Sequence, residues 1–274
     1  MSLIIIDPAK CRRDGICVAE CPMGILAQPE RDQPPLAVAG AKDICINCGH
    51  CLAVCPHGAL ELKAMAREDT VALDPADLPS AYQVELALRS RRSIRSYRDE
   101  PLPRAQLAEL IDVARYAPSG HNRQPLSWLV VSDRDELARL SGIVVDWMGW
   151  VCREDSALAE LLHLRRAIQR WQDGTDVVLR GAPHLALVHA PQGERTAPAA
   201  GVLAMAYLDL AAAGRGLGAC WAGYVMTTVN LWPPMAEALA LPEDHGCFGA
   251  MMLGRPRYGF QRIPARRQPP ITWR

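Results

Sequence analysis

Beyond residue 83, apolar positions recur at i, i+3 and i+4 and predict helices near 83–92, 103–116, 133–150, 156–172, 199–213 and 230–240. Between them stand short runs rich in β-branched and aromatic residues: "SWLVV" (127–131), "HLALVHA" (184–190), "ACWAGYV" (219–225) and "CFGAMMLG" (247–254). These read as strands. The interleaving predicts an α+β sandwich, with helices flanking a mainly antiparallel sheet. Residues 1–65 look different, with only short apolar runs at "LIIID" (3–7) and "ALELK" (59–63). Residues 66–82 hold two prolines and several acids without sustained periodicity, the pattern of a linker. Three parts follow: 1–65, a linker at 66–82, and 83–274.

With 274 residues and 50% hydrophobic content, the chain can bury a core in each of two domains. A formal net charge of +0 gives no bulk attraction to nucleic acid or to an anionic membrane. There is no run of 18 or more consecutive apolar residues, so no membrane span is expected. The opening "MSLIIIDPAK" has neither a basic n-region nor a full apolar h-region, and a cytoplasmic protein is expected. Lysine occurs only at Lys10, Lys42 and Lys63, so the large domain can host neither a Schiff-base lysine nor the lysine of a phosphate-binding loop.

Cysteine usage changes the picture of the front part. Seven of ten cysteines fall between Cys11 and Cys55, while Cys152, Cys220 and Cys247 are scattered in apolar surroundings and read as buried thiols. "CINCGHCLAVCP" (45–56) is C-x2-C-x2-C-x3-C-P, an iron–sulfur run rather than the paired CxxC of a zinc site. "CRRDGICVAECP" (11–22) is a near copy in which Asp14 stands at the place of Cys48.

Over residues 1–65 this resembles the two-cluster bacterial ferredoxins, whose fourth cysteine crosses to the other cluster. That resemblance implies one 4Fe–4S cluster on Cys21, Cys45, Cys48 and Cys51, and a second cluster on Cys11, Cys17 and Cys55 with Asp14 as candidate fourth ligand. A carboxylate is a harder, weaker ligand for sulfide-bridged iron than a thiolate. Either Asp14 holds the fourth iron through oxygen, or a 3Fe–4S cluster remains; the resemblance covers both. Residues 1–65 carry six Lys/Arg against seven Asp/Glu, a balance unlike the acidic surface usual in such ferredoxins.

Three segments of the large domain agree jointly: "SRRSIRSY" (90–97), "ARYAPSGHNRQPLSWLVV" (114–131) and "GLGACWAG" (216–223). Arginine forks bind phosphate oxygens bidentately. In this order the segments resemble the FMN-dependent nitroreductase family over residues 83–274. "GAPHLALV" also fits, as does "LGRPRYGFQRIPARR", although Arg255 replaces the more usual Tyr of a G-Y-P. The resemblance implies Arg91, Arg92, Ser93 and Arg95 on the FMN phosphate and ribityl chain, with Arg266 or Arg267 adding to them. It implies Pro118, Ser119, Asn122 and Gln124 on the isoalloxazine from the partner subunit of a homodimer, and Ala222 and Gly223 at the reactive edge. Thr227 and Thr228 are candidates for hydroxyl contacts there, or for capping, and His121 for a substrate contact.

"GRGLGA" (214–219) matches a dinucleotide fingerprint but follows a helix and enters a strand, so it reads as a helix-ending turn. No NAD(P)-binding domain is expected. His163, His184, His189 and His245 have no metal-ligand spacing, and Trp147, Trp150 and Trp171 read as core. The expectation is an iron–sulfur flavoprotein oxidoreductase passing electrons through two clusters to FMN and on to a small-molecule electron acceptor: a nitroaromatic, a quinone or an activated alkene. Chemistry is expected on FMN, with no catalytic side chain singled out, and an external electron-donor protein is an allowed partner. The alternative is an electron-transfer or redox-sensing flavoprotein without its own small substrate.

Overall fold

The computed structural model describes residues 3–274. The chain forms two units: one runs up to Leu78 and includes Gly120–Arg123, and the other comprises Pro79–Ser119 and Gln124–Arg274. Most of the expected linker, residues 66–78, thus belongs with the first unit.

The first unit runs β1 (Ile4–Ile6), α1 (Ile16–Ala19), β2 (Leu26–Ala27), β3 (Leu36–Ala37), α2 (Ala41–Ile44), α3 (His50–Ala53) and β4 (Leu60–Leu62). The two flanking runs pair antiparallel, Ile4 with Leu62 and Ile6 with Leu60. Ile4, Leu60 and Leu62 point inward with Ile25, Leu26 and Ala41, and Cys17 and Cys51 join that cluster. Each helix is a single turn that needs outside support to exist. Here the support is a small core that carries cysteines.

The second unit runs α4 (Ala81–Ser90), α5 (Arg104–Ala114), β5 (Ser127–Val131), α6 (Arg134–Glu154), α7 (Ser156–Leu161), α8 (Leu164–Gln172), β6 (His184–Pro191), α9 (Ala197–Gly214), β7 (Gly218–Trp221), α10 (Gly223–Leu231), α11 (Pro233–Ala238) and β8 (His245–Gly254). Its sheet has the order β5-β6-β8-β7 and is antiparallel throughout. The two-residue period of β6 divides its side chains between two cores. Leu185 and Leu187 pack with α6, α8, α10 and α11, while Ala186 and Val188 pack with α5 and α9. The α+β sandwich is therefore as expected, with helices on both faces.

Local chemistry sets the boundaries. α4 begins with a capping box between Ser80 and Gln83, and Asp133 caps α6 through the Glu136 amide. α9 approaches β8 so closely that a Cβ on Gly201 would lie 2.5 Å from the Phe248 carbonyl oxygen. By length and composition α9 could cross a membrane. It is a core helix of this unit, and its Asp209 is ion-paired with Arg91.

Three sequence expectations are corrected. The helix expected over 156–172 breaks at His163, whose left-handed backbone (φ 53°) separates α7 from α8. The strand expected over 219–225 ends at Trp221, because α10 starts at Gly223. The helix expected over 230–240 is two pieces, broken where Trp232 turns extended ahead of Pro233.

Candidate functional site

The two cysteine-rich loops share one backbone design. Arg13 and Gly15 are left-handed (φ 63° and 73°) on either side of Asp14, and Asn47 and Gly49 (φ 50° and 75°) do the same around Cys48. Gly15 then caps α1 and Gly49 caps α3. Asp14 stands in the same local frame as a cysteine that faces inward. Its Oδ1 accepts from the Ile16 amide at 3.2 Å, and its Oδ2 lies 3.7 Å from His57 Nε2.

Each loop set lines its own cavity. Cys11, Asp14, Cys17 and Cys55 meet around one, with His57 beside them. Cys21, Cys45, Cys48 and Cys51 meet around the other. None of the ten cysteines is in a disulfide. Burial first, then the neighbouring Cys55, Asp14 and Cys11, push the Cys17 thiol up. Burial likewise raises Cys51 to about 11, with Cys21 and Cys48 adding to it. Metal ligation reverses this by displacing the proton. Backbone amides already aim at sulfur: Asn47 N–H donates to Cys45 Sγ at 3.5 Å and Ala59 N–H to Cys55 Sγ at 3.4 Å. Among the described residues no three ligand side chains close on a point suited to a single ion. Four thiol or carboxyl groups around a cavity suit a multi-atom cluster.

In the larger unit, the arginine segment 91–95 docks on the edge of β7. Ser93 bridges Ala219, and Ile94 N–H donates to the Ala219 carbonyl at 2.9 Å. Gly218 permits this approach, since a Cβ there would lie 2.7 Å from Ile94 side-chain atoms. Tyr97 anchors the segment by donating its hydroxyl to Ile94 O at 2.7 Å. Arg91 Nη1 meets the Asp209 carboxylate at 3.1 Å. Arg92 Nε is buried with no partner, and its guanidinium lies over the Phe260 ring. A buried donor without an acceptor is costly, and an anionic group at this place would satisfy it. Arg95 donates only a long bond, 3.4 Å, to Ser93 O.

The same edge strand delivers Ala222 and Gly223. The buried Ala222 amide donates to Ala250 O at 2.8 Å, and α10 begins with no side-chain cap. Nothing lies within 4 Å of where a Gly223 Cβ would stand. Its amides are orphan donors of a helix N-terminus. Thr228 is fully buried and donates its hydroxyl to Tyr224 O at 2.7 Å, inside its own helix. That contact neither caps a helix nor leaves the hydroxyl free for a cofactor.

The segment expected at the isoalloxazine is divided. Ser119 and Gln124 belong to the second unit, where the Gln124 amide donates to Ser119 Oγ at 2.9 Å, and both line a cavity of about 230 Å³ with Trp128 and Ala200. Pro118 is exposed beside them. His121, Asn122 and Gln124 all have left-handed backbones. Asn122 belongs to the first unit, where its Nδ2 donates to Ile46 O at 3.2 Å and Asn47 O at 3.0 Å. Arg266 and Arg267 lie in exposed coil.

Other residues resolve simply. His184 Nε2 accepts from the Leu102 amide at 2.7 Å and Nδ1 meets Ser132 Oγ at 2.8 Å, a satisfied core histidine. Trp147 is fully buried, but Trp150 is 38% exposed and packs on Trp232, so the core expectation fails for it. Cys220 and Cys247 are buried, whereas Cys152 is only half-buried. "GRGLGA" is the end of α9, with Gly216 at φ 67° before β7. Asp209 escaped the sequence reading; a lone acid in an otherwise apolar helix was its only signal.

Known proteins match both units. A 4Fe-4S dicluster domain model matches residues 9–60. A seven-iron ferredoxin (Ferredoxin 7Fe) of Hydrogenibacillus schlegelii is 37% identical over 60 residues, 22% of this chain and 70% of its own. A 4-nitrobenzoate reductase of Nocardioides sp. (strain LMS-CY) is 33% identical over 95 residues, 34% of this chain and only 38% of that reductase. The crystal structure of a nitroreductase with bound FMN from Bacteroides fragilis shares the fold with a TM-score of 0.59 at 24% identity, covering 70% of this chain and 98% of that one. The Nitroreductase family model matches residues 88–255, more than half of the chain. With that match over more than half its length, and with an antiparallel sheet sandwiched by helices as in the FMN-bound structure, the chain belongs to the nitroreductase family.

Proposed function

We propose that this chain is an iron–sulfur flavoprotein oxidoreductase that takes electrons singly through two clusters and delivers them in pairs, through FMN, to a small organic acceptor. The observation that carries the reading is the sorting of eight candidate ligands into two cavities, Cys11, Asp14, Cys17 and Cys55 around one and Cys21, Cys45, Cys48 and Cys51 around the other. Each set draws one member from the opposite sequence run, as a crossed two-cluster ferredoxin requires. The likeness to a seven-iron ferredoxin supports a first cluster with three or four irons beside an all-cysteine 4Fe–4S cluster.

Bound FMN would supply the two-electron chemistry. The chain's own residues hold and orient it. The buried, partnerless Arg92 Nε and the underused Arg95 suit the phosphate, and Asp209 fixes the Arg91 fork. The uncapped start of α10 at Gly223 would offer backbone N–H groups to a bound flavin and favour negative charge there. Ser119 and Gln124 would serve the isoalloxazine of a second copy in a homodimer, with Arg266 and Arg267 of the exposed tail completing a phosphate site. Nitroaromatics are the favoured acceptors, supported by the likeness to a 4-nitrobenzoate reductase. Reducing a nitro group to nitroso takes two electrons and two protons and releases one water.

The test is reconstitution followed by reoxidation. Anaerobic protein should carry two clusters and one FMN per chain. After stoichiometric dithionite reduction, a nitroaromatic or quinone should reoxidise it with saturable kinetics. Absence of flavin refutes the flavoprotein reading; linear, unsaturable reoxidation favours a pure electron carrier.

A further inference from the structure

The larger unit holds a second group of cationic side chains. A cavity of about 120 Å³ is walled by Arg166 and Arg170 of α8, Arg180 ahead of β6, His163, Val177 and Tyr224 of α10. Arg166 and Arg170 stand one helical turn apart, so both guanidiniums lie on one face, an arrangement that is unfavourable without a counter-charge. Arg180 adds a third from a residue with a left-handed backbone (φ 58°), a costly conformation for a long side chain. His163 is left-handed as well.

The nearby acids do not supply that counter-charge. Asp176 spends both oxygens on backbone, accepting from Val178, Leu179 and Gly181 amides at 2.9 Å each. The Asp173 carboxylate accepts from Gln169 at 3.1 Å. Among the described residues no carboxylate pairs with Arg166, Arg170 or Arg180. Three guanidinium forks offer many N–H donors and no acceptor. Beside them, Ala167 and Val177 give an apolar wall, and the Tyr224 ring is held by its hydroxyl donating to Leu162 O at 3.1 Å. The space is too small for a flavin but admits a carboxylate, sulfonate or phosphate group. Tyr224 directly follows Gly223, the residue set at the reacting edge in the reading above.

We propose that this cavity holds the anionic group of the acceptor, so that the substrate class is a small aromatic or unsaturated acid rather than a neutral compound. The proposal rests on the flavoenzyme reading for the position of the reacting edge, and on the three unpaired arginines for the charge. The apolar wall packs the body of the substrate, and the arginine face selects its acid end, which fixes the orientation of the reducible group relative to Gly223.

The experiment compares 4-nitrobenzoate with its methyl ester, which share the nitrophenyl body and differ in charge; the ester is the more electron-poor of the two, so a preference for the acid cannot come from ease of reduction. Dithionite-reduced holoprotein is mixed with each, and the half-saturating concentration is read from flavin reoxidation. The acid is expected to saturate at least tenfold lower than the ester. Arg166→Gln and Arg170→Gln should each raise the half-saturating concentration of the acid by about one to two decades, as loss of a charge-assisted hydrogen bond implies. The ester should be unaffected, and FMN content unchanged. Equal saturation by acid and ester, equal effects of the variants on both, or loss of FMN from the variants would each overturn the proposal; the last would reassign the arginines to the flavin phosphate. If neither acceptor reoxidises the flavin, the enzyme reading fails, and calorimetric titration with 4-nitrobenzoate then decides the cavity alone. Heat that the two variants abolish sustains the anion site, and no heat with the wild type removes it.

Discussion

Arg91 places its Nη1 3.1 Å from Asp209 Oδ2, joining the end of α4 to the middle of α9 through a pair whose acid is only 8% exposed. Burial pushes the Asp209 carboxyl up, and Arg91 pulls it back down. The arginine expected at a phosphate thus has a structural duty first. Asp209→Asn keeps the shape and removes the charge, leaving a guanidinium that is 26% exposed without its partner. The expected cost is about 1–3 kcal/mol, below the figure for a fully buried pair because water reaches Arg91. Urea unfolding of the full chain measures it, and an unchanged midpoint would show that the pair contributes nothing.

Arg92 and Arg91 should therefore fail differently. Arg92 has a buried Nε and no partner. Arg92→Ala should weaken FMN by about one to two decades while leaving unfolding nearly unchanged. Arg91→Ala should lower the unfolding midpoint, because it strands Asp209. Flavin titration beside denaturation separates the two. A pattern with Arg91 governing flavin and Arg92 governing stability would contradict the geometry.

His184 predicts a pH effect. Its Nε2 accepts from Leu102 N–H and it is 1% exposed. Burial depresses its pKa below the ordinary histidine value of about 6.5. The folded state therefore binds fewer protons than the unfolded one below that value. The stabilisation is full above about pH 6.5 and is lost as pH falls toward the depressed folded pKa. The thermal midpoint should fall between pH 7.5 and 5.5, and His184→Gln should flatten that dependence. Parallel wild-type and variant curves would show that another group titrates.

What was legible in the chain follows from what chemistry forces into local sequence. A cluster-binding loop needs thiolates at short fixed spacing, so all eight candidate ligands stood out from the sequence. The strands at 127–131 and 184–190 alternate between two apolar cores and carry a plain period. The break at His163 was not legible, because a left-handed histidine leaves no Gly or Pro behind it. The early end of β7 was hidden by "WAGYV", whose residues suit a strand and a helix equally. Asp209 lies 118 residues from Arg91, and the three arginines of the proposed anion cavity meet Tyr224 of α10, more than forty residues further along the chain. Pairings of that kind exist only after folding.

The left-handed pairs Arg13/Gly15 and Asn47/Gly49 make Asp14 the backbone counterpart of Cys48. Asp14 lines the cavity of Cys11, Cys17 and Cys55, so the frame that presents a thiolate in one loop presents a carboxylate in the other. Asp14→Cys therefore needs no backbone change, and should give a protein with two 4Fe–4S clusters that resists oxidative loss of iron. Asp14→Ala should fix the first cluster in the three-iron form. The wild type should lose one iron on mild oxidation while the all-cysteine cluster persists, since oxygen holds sulfide-bridged iron less firmly than sulfur does. Electron paramagnetic resonance of the oxidised proteins tells these apart: an oxidised three-iron cluster is paramagnetic, and a resting four-iron cluster is not. His57, 3.7 Å from the carboxylate, is the control, because His57→Gln leaves the Asp14 frame intact and should keep the wild-type iron count. Identical iron counts and spectra for wild type and Asp14→Ala, before and after oxidation, would remove Asp14 from the ligand set.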